Sequence, residues 1–205
     1  MKFLSLLMLC LILCPVALAQ EYPRSEFFGG YSLVRTDRED VDLTQFGAVG
    51  TASRKAATLN GWNISITGNP TSKFGVVADF GGAYGSIGYS LSGVGSLSAR
   101  SRFHSFLFGP QFYLRGDRAT GFFRGLAGAV KLDQSVNLLG FSRSQDETAF
   151  GAGVGGGMDL KWSSRISVRA FQVDYVLTRF DGGGVANNTQ HSFRVSTGFV
   201  FRNRD

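Results

Sequence analysis

The chain alternates between apolar residues and small or polar residues, and this period of two constrains its fold more than any other feature. Residues 191–202 read HSFRVSTGFVFR, in which one parity is His, Phe, Val, Thr, Phe, Phe and the other is Ser, Arg, Ser, Gly, Val, Arg. Such alternation is typical of a β-strand with one apolar and one polar face. Whether the Phe-rich face points into a core or out into lipid decides what kind of protein this is.

Strand periodicity of this kind extends along nearly the whole chain. No segment places apolar residues at the helical spacing i, i+3, i+4, i+7, and the 28 glycines disfavour stable helices. Arg169 has the opposite parity to Gln172 and Asp174; a β-bulge between them would place all three on one face, but the sequence does not show one. The sequence therefore predicts an all-β fold with eight strands, near residues 26–35, 61–68, 73–84, 100–114, 121–133, 148–161, 165–179 and 191–202.

The connections between these strands alternate in length. Those after the second, fourth and sixth strands are short, whereas the others are longer and cover about 36–60, 85–99, 134–147 and 180–190. Because alternate connections of an antiparallel meander lie at opposite ends, all the long loops are expected at one end and both termini at the other. Short periplasmic turns and long outer loops are typical of outer-membrane barrels.

The start of the chain, MKFLSLLMLCLILCPVALAQ, predicts a cleaved secretory signal peptide over residues 1–19. Its apolar run is too short to span a membrane comfortably and is broken by Pro15, and Ala17-Leu18-Ala19 has the small-x-small pattern of a cleavage site. Both cysteines of the chain lie in this segment. Residues 20–205 are therefore expected to form one barrel domain without disulfides or thiol chemistry.

A soluble, lipocalin-like carrier is the main alternative fold, because such a barrel would also be exported. Three features favour a transmembrane barrel instead. Most strands reach the length of about 9–11 residues that a membrane crossing needs, and the less apolar face is poor in the Lys and Glu that coat soluble proteins. Aromatic residues also fall near strand ends, as in interfacial girdles. The predicted girdle residues are Trp62, Tyr84, Trp162, Tyr175 and Phe201.

Charged residues within the strands are predicted to face the lumen and to pair there, because an Arg in mid-bilayer lipid costs about 2–4 kcal/mol. The predicted network comprises Asp79, Asp174, Arg194 and Arg169. A structural role is the main interpretation, and gating of a narrow pore is the alternative, since charged rings control conduction in channels. Eight strands leave an interior that side chains just fill, which argues against an open channel.

Three short motifs have competing chemical interpretations. Gly151–Gly157 contains GxGxxG, but a dinucleotide site needs this motif between a strand and a helix, and here it lies inside a strand. His191 and Ser192 suggest a lipid A hydrolase, yet neighbours in a strand point to opposite faces. The acidic loop at 37–42 lacks EF-hand spacing, although weak divalent-ion bridging to lipopolysaccharide stays open. No catalytic, cofactor-binding or metal-binding residue is predicted.

Five segments resemble the bacterial outer-membrane β-barrel family related to the OmpA transmembrane domain: FFGGYSLV, GWNISITGNPTSKFGVVADFGGAYG, HSFLFGPQFYLR, FGAGVGGGMDL and RISVRAFQVDYVLTRF. The resemblance covers nearly all of the chain after residue 19. It implies an eight-stranded, antiparallel, up-and-down barrel in the outer membrane of a Gram-negative bacterium. Its motifs are patterns of Gly and aromatic residues, which carry no information about activity.

We therefore expect an integral outer-membrane barrel with a structural or surface-interaction role and no enzymatic activity. The alternatives are a narrow, gated, porin-like channel, a lipid A-modifying enzyme and a soluble lipocalin-like carrier. The expected partners are outer-membrane lipid, lipopolysaccharide and the barrel-assembly machinery, and the expected state is a monomer without a cofactor. Nucleic acid is not an expected partner, because the Lys and Arg residues are scattered despite a net charge of +6.

Overall fold

The computed structural model describes residues 22–36, 39–42, 51–54, 57–91, 95–138, 141–179 and 189–203. These residues form a single antiparallel sheet, and no helix among them is long and apolar enough to cross a membrane. The described strands, in chain order, are β1 (Ser25–Thr36), β2 (Glu39–Asp42), β3 (Thr51–Arg54), β4 (Ala57–Gly68), β5 (Phe74–Leu91), β6 (Gly95–Arg115), β7 (Ala119–Leu138), β8 (Phe141–Lys161), β9 (Ile166–Arg179) and β10 (Thr189–Asn203).

The eight long strands close into an up-and-down barrel. The order around the barrel is β5-β4-β1-β10-β9-β8-β7-β6, and β6 pairs again with β5. The short strands β2 and β3 pair with each other, and β3 also extends the sheet along β5. The eight predicted strands and the all-β barrel are confirmed.

The last strand closes the barrel against the first. The register between β1 and β10 runs from Ser25 opposite Asn203 to Thr36 opposite Ser192 without a shift. This pairing removes the two free edges that an open sheet would present. In a bilayer such closure is required, because lipid offers no hydrogen-bonding partner to an unpaired edge.

The Phe-rich face of β10 lies outside the barrel. Phe193, Phe199 and Phe201 are 44–50% exposed, whereas Arg194 and Ser196 are almost completely buried. The same alternation holds on the other strands, so the barrel carries an apolar exterior around a largely polar interior. Exposed large apolar or aromatic side chains of the barrel wall include Phe27, Tyr31, Ile66, Val76, Phe106, Phe108, Phe112, Leu114, Phe123, Phe150, Val154, Leu160, Phe171 and Val173.

A β-bulge lies in β9 at Ala170. Ser196 faces Gln172 and Gly198 faces Arg169 across β9 and β10, so β9 contains one extra residue over this interval. The β8–β9 register shifts at the same place, and Ala170 and the residue after it are both exposed. The bulge turns Arg169 to the interior side that Gln172 occupies, which the sequence pattern alone did not show.

A cluster of apolar side chains occupies the interior nearer the long connections, beside buried Thr36, Ser101 and Thr178, and the sequence pattern did not indicate it. Leu126, Val130 and Leu132 follow Arg124 along β7 toward those connections, and all three are buried. They belong to this cluster, which borders a cavity of about 50 Å³. The cluster consists of Leu59, Val77, Ala83, Phe103, Leu107, Leu126, Val130 and Leu132.

The alternation of connections is confirmed, with one correction. The segments 69–73, 116–118 and 162–165 join neighbouring strands at the end where β1 begins and β10 ends. At the other end, two predicted loops are mostly strand: β5 and β6 stay paired up to Leu91 and Gly95, and β7 and β8 up to Leu138 and Phe141. The residues of these strand extensions show little alternation of apolar and polar side chains. The sequence pattern therefore ends before the backbone pairing ends, and the prediction assigned these residues to loops.

The closing register predicts a specific cross-link. Ser32 and Ser196 face each other across β1 and β10, both are buried, and neither hydroxyl has a hydrogen-bond partner among the described residues. Directly opposed residues have Cα atoms about 4.5–5.5 Å apart, which suits a disulfide. In a chain with Cys10 and Cys14 replaced by Ser, the pair Ser32→Cys and Ser196→Cys should cross-link during oxidative refolding, as a mobility shift on non-reducing gels.

The matched control combines Ser32→Cys with Ser192→Cys. Ser192 faces Thr36 and so lies four register positions away from the partner of Ser32. That offset is about 13 Å along the strand, beyond disulfide reach. Equal cross-linking of both pairs would contradict the register.

Candidate functional site in the barrel interior

Three of the four predicted network residues meet at the centre of the barrel. Arg194 Nη2 donates to Asp79 Oδ1 at 2.7 Å and to Asp174 Oδ2 at 3.0 Å. Asp79 lies on β5, Asp174 on β9 and Arg194 on β10, and all three side chains are at most 5% exposed. The structure thus brings two carboxylates from opposite walls onto one guanidinium.

Arg124 of β7 completes this centre, and the predicted network did not include it. Its Nε and Nη2 donate to the two oxygens of Asp174 at 2.9 and 2.8 Å, and its Nη1 lies 3.1 Å from Asp79 Oδ2. Two guanidiniums and two carboxylates therefore form a closed ring without net charge. Arg124 lies in the middle of a predicted strand, which points to the lumen. However, Lys131 lies on the opposite parity of the same strand, so the alternation did not show which of the two faces inward. The structure resolves the conflict: Arg124 is fully buried, whereas the Lys131 side chain is 45% exposed.

Two neutral amides extend the ring. Asn63 Nδ2 donates to Asp79 Oδ2 at 3.1 Å, and Gln172 Nε2 donates to Asp174 Oδ2 at 2.8 Å and to Asn63 Oδ1 at 3.0 Å. Both amide side chains are fully buried. The ring and these two amides, here named the central network, link five strands. The amides add hydrogen bonds to carboxylate oxygens that the guanidiniums also contact.

Arg169, the fourth predicted residue, lies in a separate cluster beside the central network. Its Nε and Nη2 donate to the two oxygens of Asp159 at 2.7 and 3.1 Å, and its Nη1 donates to Gln172 Oε1 at 2.6 Å. Its guanidinium also lies 4.2 Å from the ring centre of Phe28 and 4.3 Å from that of Phe122. Gln172 therefore connects this cluster to the central network.

A third cluster lies where β1 and β10 meet the short turns. Arg115 Nη1 donates to Glu26 Oε1 at 2.9 Å, the Tyr113 hydroxyl donates to Glu26 Oε2 at 3.3 Å, and Asn69 Nδ2 donates to Glu26 Oε1 at 3.3 Å. Arg202 lies 3.9 Å from both Glu26 and Asp159, so it joins this cluster to that of Arg169. The polar side chains thus run continuously from the middle of the barrel to its short-turn end.

The interior charges nearly cancel. The three clusters contain five arginines and four carboxylates, which leaves a net charge of +1 among the described interior residues. Every one of these carboxylates has at least one arginine within 4 Å. Such pairing suits a filled interior, because a buried charge without a partner is strongly destabilising.

The glycine-rich segment of β8 provides the space that the central network needs. A Cβ at Gly155 would overlap the Asp174 carboxylate, and a Cβ at Gly151 would lie 2.8 Å from a methyl carbon of Val130. The whole segment Gly151–Gly157 lies within β8, where it pairs on both sides. The GxGxxG pattern therefore belongs to close packing inside a barrel strand.

Of the five predicted girdle residues, Trp62, Tyr84 and Phe201 are exposed on the outer face, Tyr175 is half-buried there, and Trp162 is exposed in a short turn. Trp62 Nε1 donates to the Tyr84 hydroxyl at 3.3 Å, and that hydroxyl lies 3.3 Å from His104 Nε2. This group lies toward the long connections, as does Tyr175, whose hydroxyl contacts His191 Nδ1. Residues at the short-turn end are Trp162, which is 76% exposed, and Phe201, which is 50% exposed.

The other chemical motifs do not assemble a reactive centre in the described part of the chain. His191 is exposed outside the barrel, and Ser192 is half-buried on its interior side. Among the described residues, no group of three His, Cys, Asp or Glu side chains is placed to hold a metal ion. Of the acidic first loop, Asp37 lies outside the described residues, and Glu39, Asp40 and Asp42 are described only in their backbone.

Removing Arg124 should destabilise the barrel strongly. Arg124→Met leaves two buried carboxylates facing the single guanidinium of Arg194, and breaking a buried pair in this way costs about 3–5 kcal/mol. Urea unfolding of the refolded protein in detergent micelles measures the loss. Arg118→Met, in an exposed turn, is the control, with an expected change within about 0.5 kcal/mol.

A double-mutant cycle separates the ion pair from the loss of side-chain volume. Asp174→Asn removes the surplus negative charge that Arg124→Met creates, so the double variant should lose less stability than the sum of the two single variants. Equal stability of Arg124→Met and Arg118→Met would contradict the structural role of the central network.

The structure is similar to three known bacterial barrels, although no protein-family model matches the chain and no curated protein matches it. Ail, the attachment invasion locus protein of Yersinia pestis, superposes with a TM-score of 0.58 at 17% identity, over 88% of this chain and 99% of that chain. The outer membrane protein OprG from Pseudomonas aeruginosa superposes with 0.56 at 15% identity, over 92% and 100%. Neisserial surface protein A superposes with 0.54 at 12% identity, over 86% and 97%. At these identities the likeness is one of fold: the chain is an eight-stranded β-barrel with the fold of bacterial outer-membrane barrel proteins.

Proposed function

We propose that the protein is an integral outer-membrane barrel that serves as a rigid, filled scaffold for its surface-exposed connections. The observation that carries this proposal is the filled interior. Asn63, Asp79, Arg124 and Gln172 have no accessible surface, and they block the lumen at the level of the central network. A barrel filled in this way acts through its outer surface and its ends.

The distribution of side chains supports a position in the membrane. An exterior of exposed Phe, Leu and Val would aggregate in water, whereas lipid is its natural solvent. The aromatic residues at both ends match the two interfaces of a bilayer. Outer-membrane lipid, lipopolysaccharide and the barrel-assembly machinery are the proposed partners, and the proposed state is a monomer.

A role without catalysis or ligand transport is supported by the same geometry. His191 and Ser192 lie on opposite faces of β10, which is unfavourable for a nucleophile and its base. The interior side chains leave no lipocalin-sized cavity within the described barrel. Two proteins of similar fold are named an attachment protein and a surface protein, which agrees with a surface-interaction role.

Membrane insertion is tested by heat-modifiable gel mobility together with outer-membrane fractionation. The wild-type chain should migrate differently before and after boiling and should fractionate with the outer membrane. Gly198→Val should abolish the shift, because a side chain at Gly198 would collide with the backbone of Gly29 and Gly30 across the closing seam.

Gly125→Val is the matched control for this experiment. A Cβ at Gly125 meets nothing within 4 Å, so this variant should fold and keep the shift. A soluble periplasmic form of the wild-type chain would overturn the proposal.

A narrow gated pore is the second candidate function. Arg194 lines a cavity of about 50 Å³ on the side of the long connections, next to Gly81 and Phe103, and its guanidinium could move into that space. Planar-bilayer recordings test this alternative. A filled scaffold should show no steady conductance, whereas a gated pore should show stepwise currents that change in Arg194→Ala and persist unchanged in the control Arg179→Ala.

A further inference from the structure

We propose that the outer face of β5 and β6, near the long connections, binds the phosphate groups of lipid A in the outer leaflet. Arg100 and Arg102 form the core of this site, here named the rim site. The inference rests on the proposed outer-membrane location, and it identifies which part of the barrel surface holds a specific lipid.

The two arginines point away from the barrel. Arg100 and Arg102 are exposed, whereas Ser101 and Phe103, which alternate with them, are buried. Their positions on one strand, two residues apart, place both guanidiniums on the same outer face. A strand presents such a pair about 7 Å apart along its axis, close enough for one phosphorylated headgroup to contact both.

The rim site lies at the level where headgroups begin. Arg102 faces Tyr84 across β5 and β6, and Tyr84 belongs to the outer aromatic group with Trp62 and His104. Arg100 faces Ser86 and so lies one further step from the middle of the barrel. Aromatic girdles mark the interface, so the two guanidiniums lie among lipid phosphates and not in hydrocarbon.

A surface concavity accompanies the two arginines. A depression of about 360 Å³ lies beside Arg100 and Arg102, lined also by the small residue Ser86 of β5, with Tyr84 at its edge. Arginine suits this setting, because its planar guanidinium donates two parallel hydrogen bonds to a phosphate. The depression provides room for a headgroup, and the arginines provide its donors.

Cations outnumber carboxylates among the described side chains around the rim site. Asp133 faces Arg102 directly across β6 and β7, and it lies 3.6 Å from Lys131 and 3.9 Å from His104. Within the described part of the chain, no carboxylate forms an ion pair with Arg100 or Arg102. Cations that face outward at this level attract the anionic lipid of the leaflet, with a contribution that grows with each additional Lys or Arg.

The test measures lipid A binding by the full-length protein folded in micelles of an uncharged detergent. Trp62 donates to Tyr84 at the rim site, so its fluorescence reports binding there, and Trp162→Phe removes the other tryptophan. Titration uses diphosphorylated lipid A and, in a second arm, fully dephosphorylated lipid A. Arg100→Ala with Arg102→Ala should weaken binding of the diphosphorylated form about 10- to 30-fold, as expected for two interfacial cations.

Two exposed arginines at the opposite end provide the matched control. Arg118→Ala with Arg165→Ala removes the same charge from the short turns and should leave the affinity unchanged. Arg100→Lys with Arg102→Lys keeps the charge and should show an intermediate loss, because a lysine lacks the bidentate geometry. Wild-type affinity in the alanine variant, or an equal loss in the control, would overturn the rim site.

Further readouts separate the lipid from other anions and the rim site from the scaffold. Inorganic phosphate at the same concentration should not compete; equal competition would point to a soluble anion and overturn the assignment to a lipid. Binding of dephosphorylated lipid A with unchanged affinity would overturn it as well. Heat-modifiable mobility should be the same in all these variants, so a failure of the rim site is distinguishable from a failure of the barrel to insert.

Discussion

The bidentate pair between Arg124 and Asp174 is the interaction on which the rest of the barrel depends. It joins β7 to β9 through the interior, and Asp79 and Arg194 extend the contact to β5 and β10. Two other features of the chain make room for these side chains or direct them inward. Glycine at position 155 leaves room for the Asp174 carboxylate, and the bulge in β9 directs Arg169 into the interior beside the ring. Hydrogen bonds from Asn63 and Gln172 then reach carboxylate oxygens that the arginines also contact.

The proposed lipid surroundings account for the interior position of the network. An arginine in hydrocarbon is costly, whereas Arg124 inside the barrel donates from Nε and Nη2 to the carboxylate of Asp174. The strand alternation then assigns the Phe, Val and Leu residues of the other parity to the lipid side. Closure of β10 against β1 completes the arrangement, because it satisfies the backbone of both strands without any contribution from side chains.

Because the interior is filled, the parts of the barrel that can contact other molecules are its outer wall and its two ends. The lumen is occupied by the three polar clusters toward the short turns and by an apolar cluster toward the long connections. The barrel therefore presents to its surroundings an apolar outer wall, aromatic residues toward both ends and the connections between its strands. The proposed rim site belongs to this outer surface, where Arg100 and Arg102 lie two residues apart on β6, which is paired on both sides.

Period-two alternation by itself determined the number of strands and which residues of a strand share a face, because side-chain direction in a strand depends on parity. The expectation that Asp79, Asp174, Arg194 and Arg169 face the lumen came from the cost of charge in lipid, and for Arg169 only the bulge at Ala170 in the structure made it possible. Only the tertiary structure decided which charges meet. Arg124 and Asp174 are fifty residues apart, and their contact depends on strand register and on the tilt of opposite walls, which no local pattern encodes. The apolar cluster could not be predicted for the same reason. Leu126 and Val130 share the parity of Arg124, so alternation places all three inside, and only their positions along the barrel axis put the first two in the apolar cluster and Arg124 in the central network.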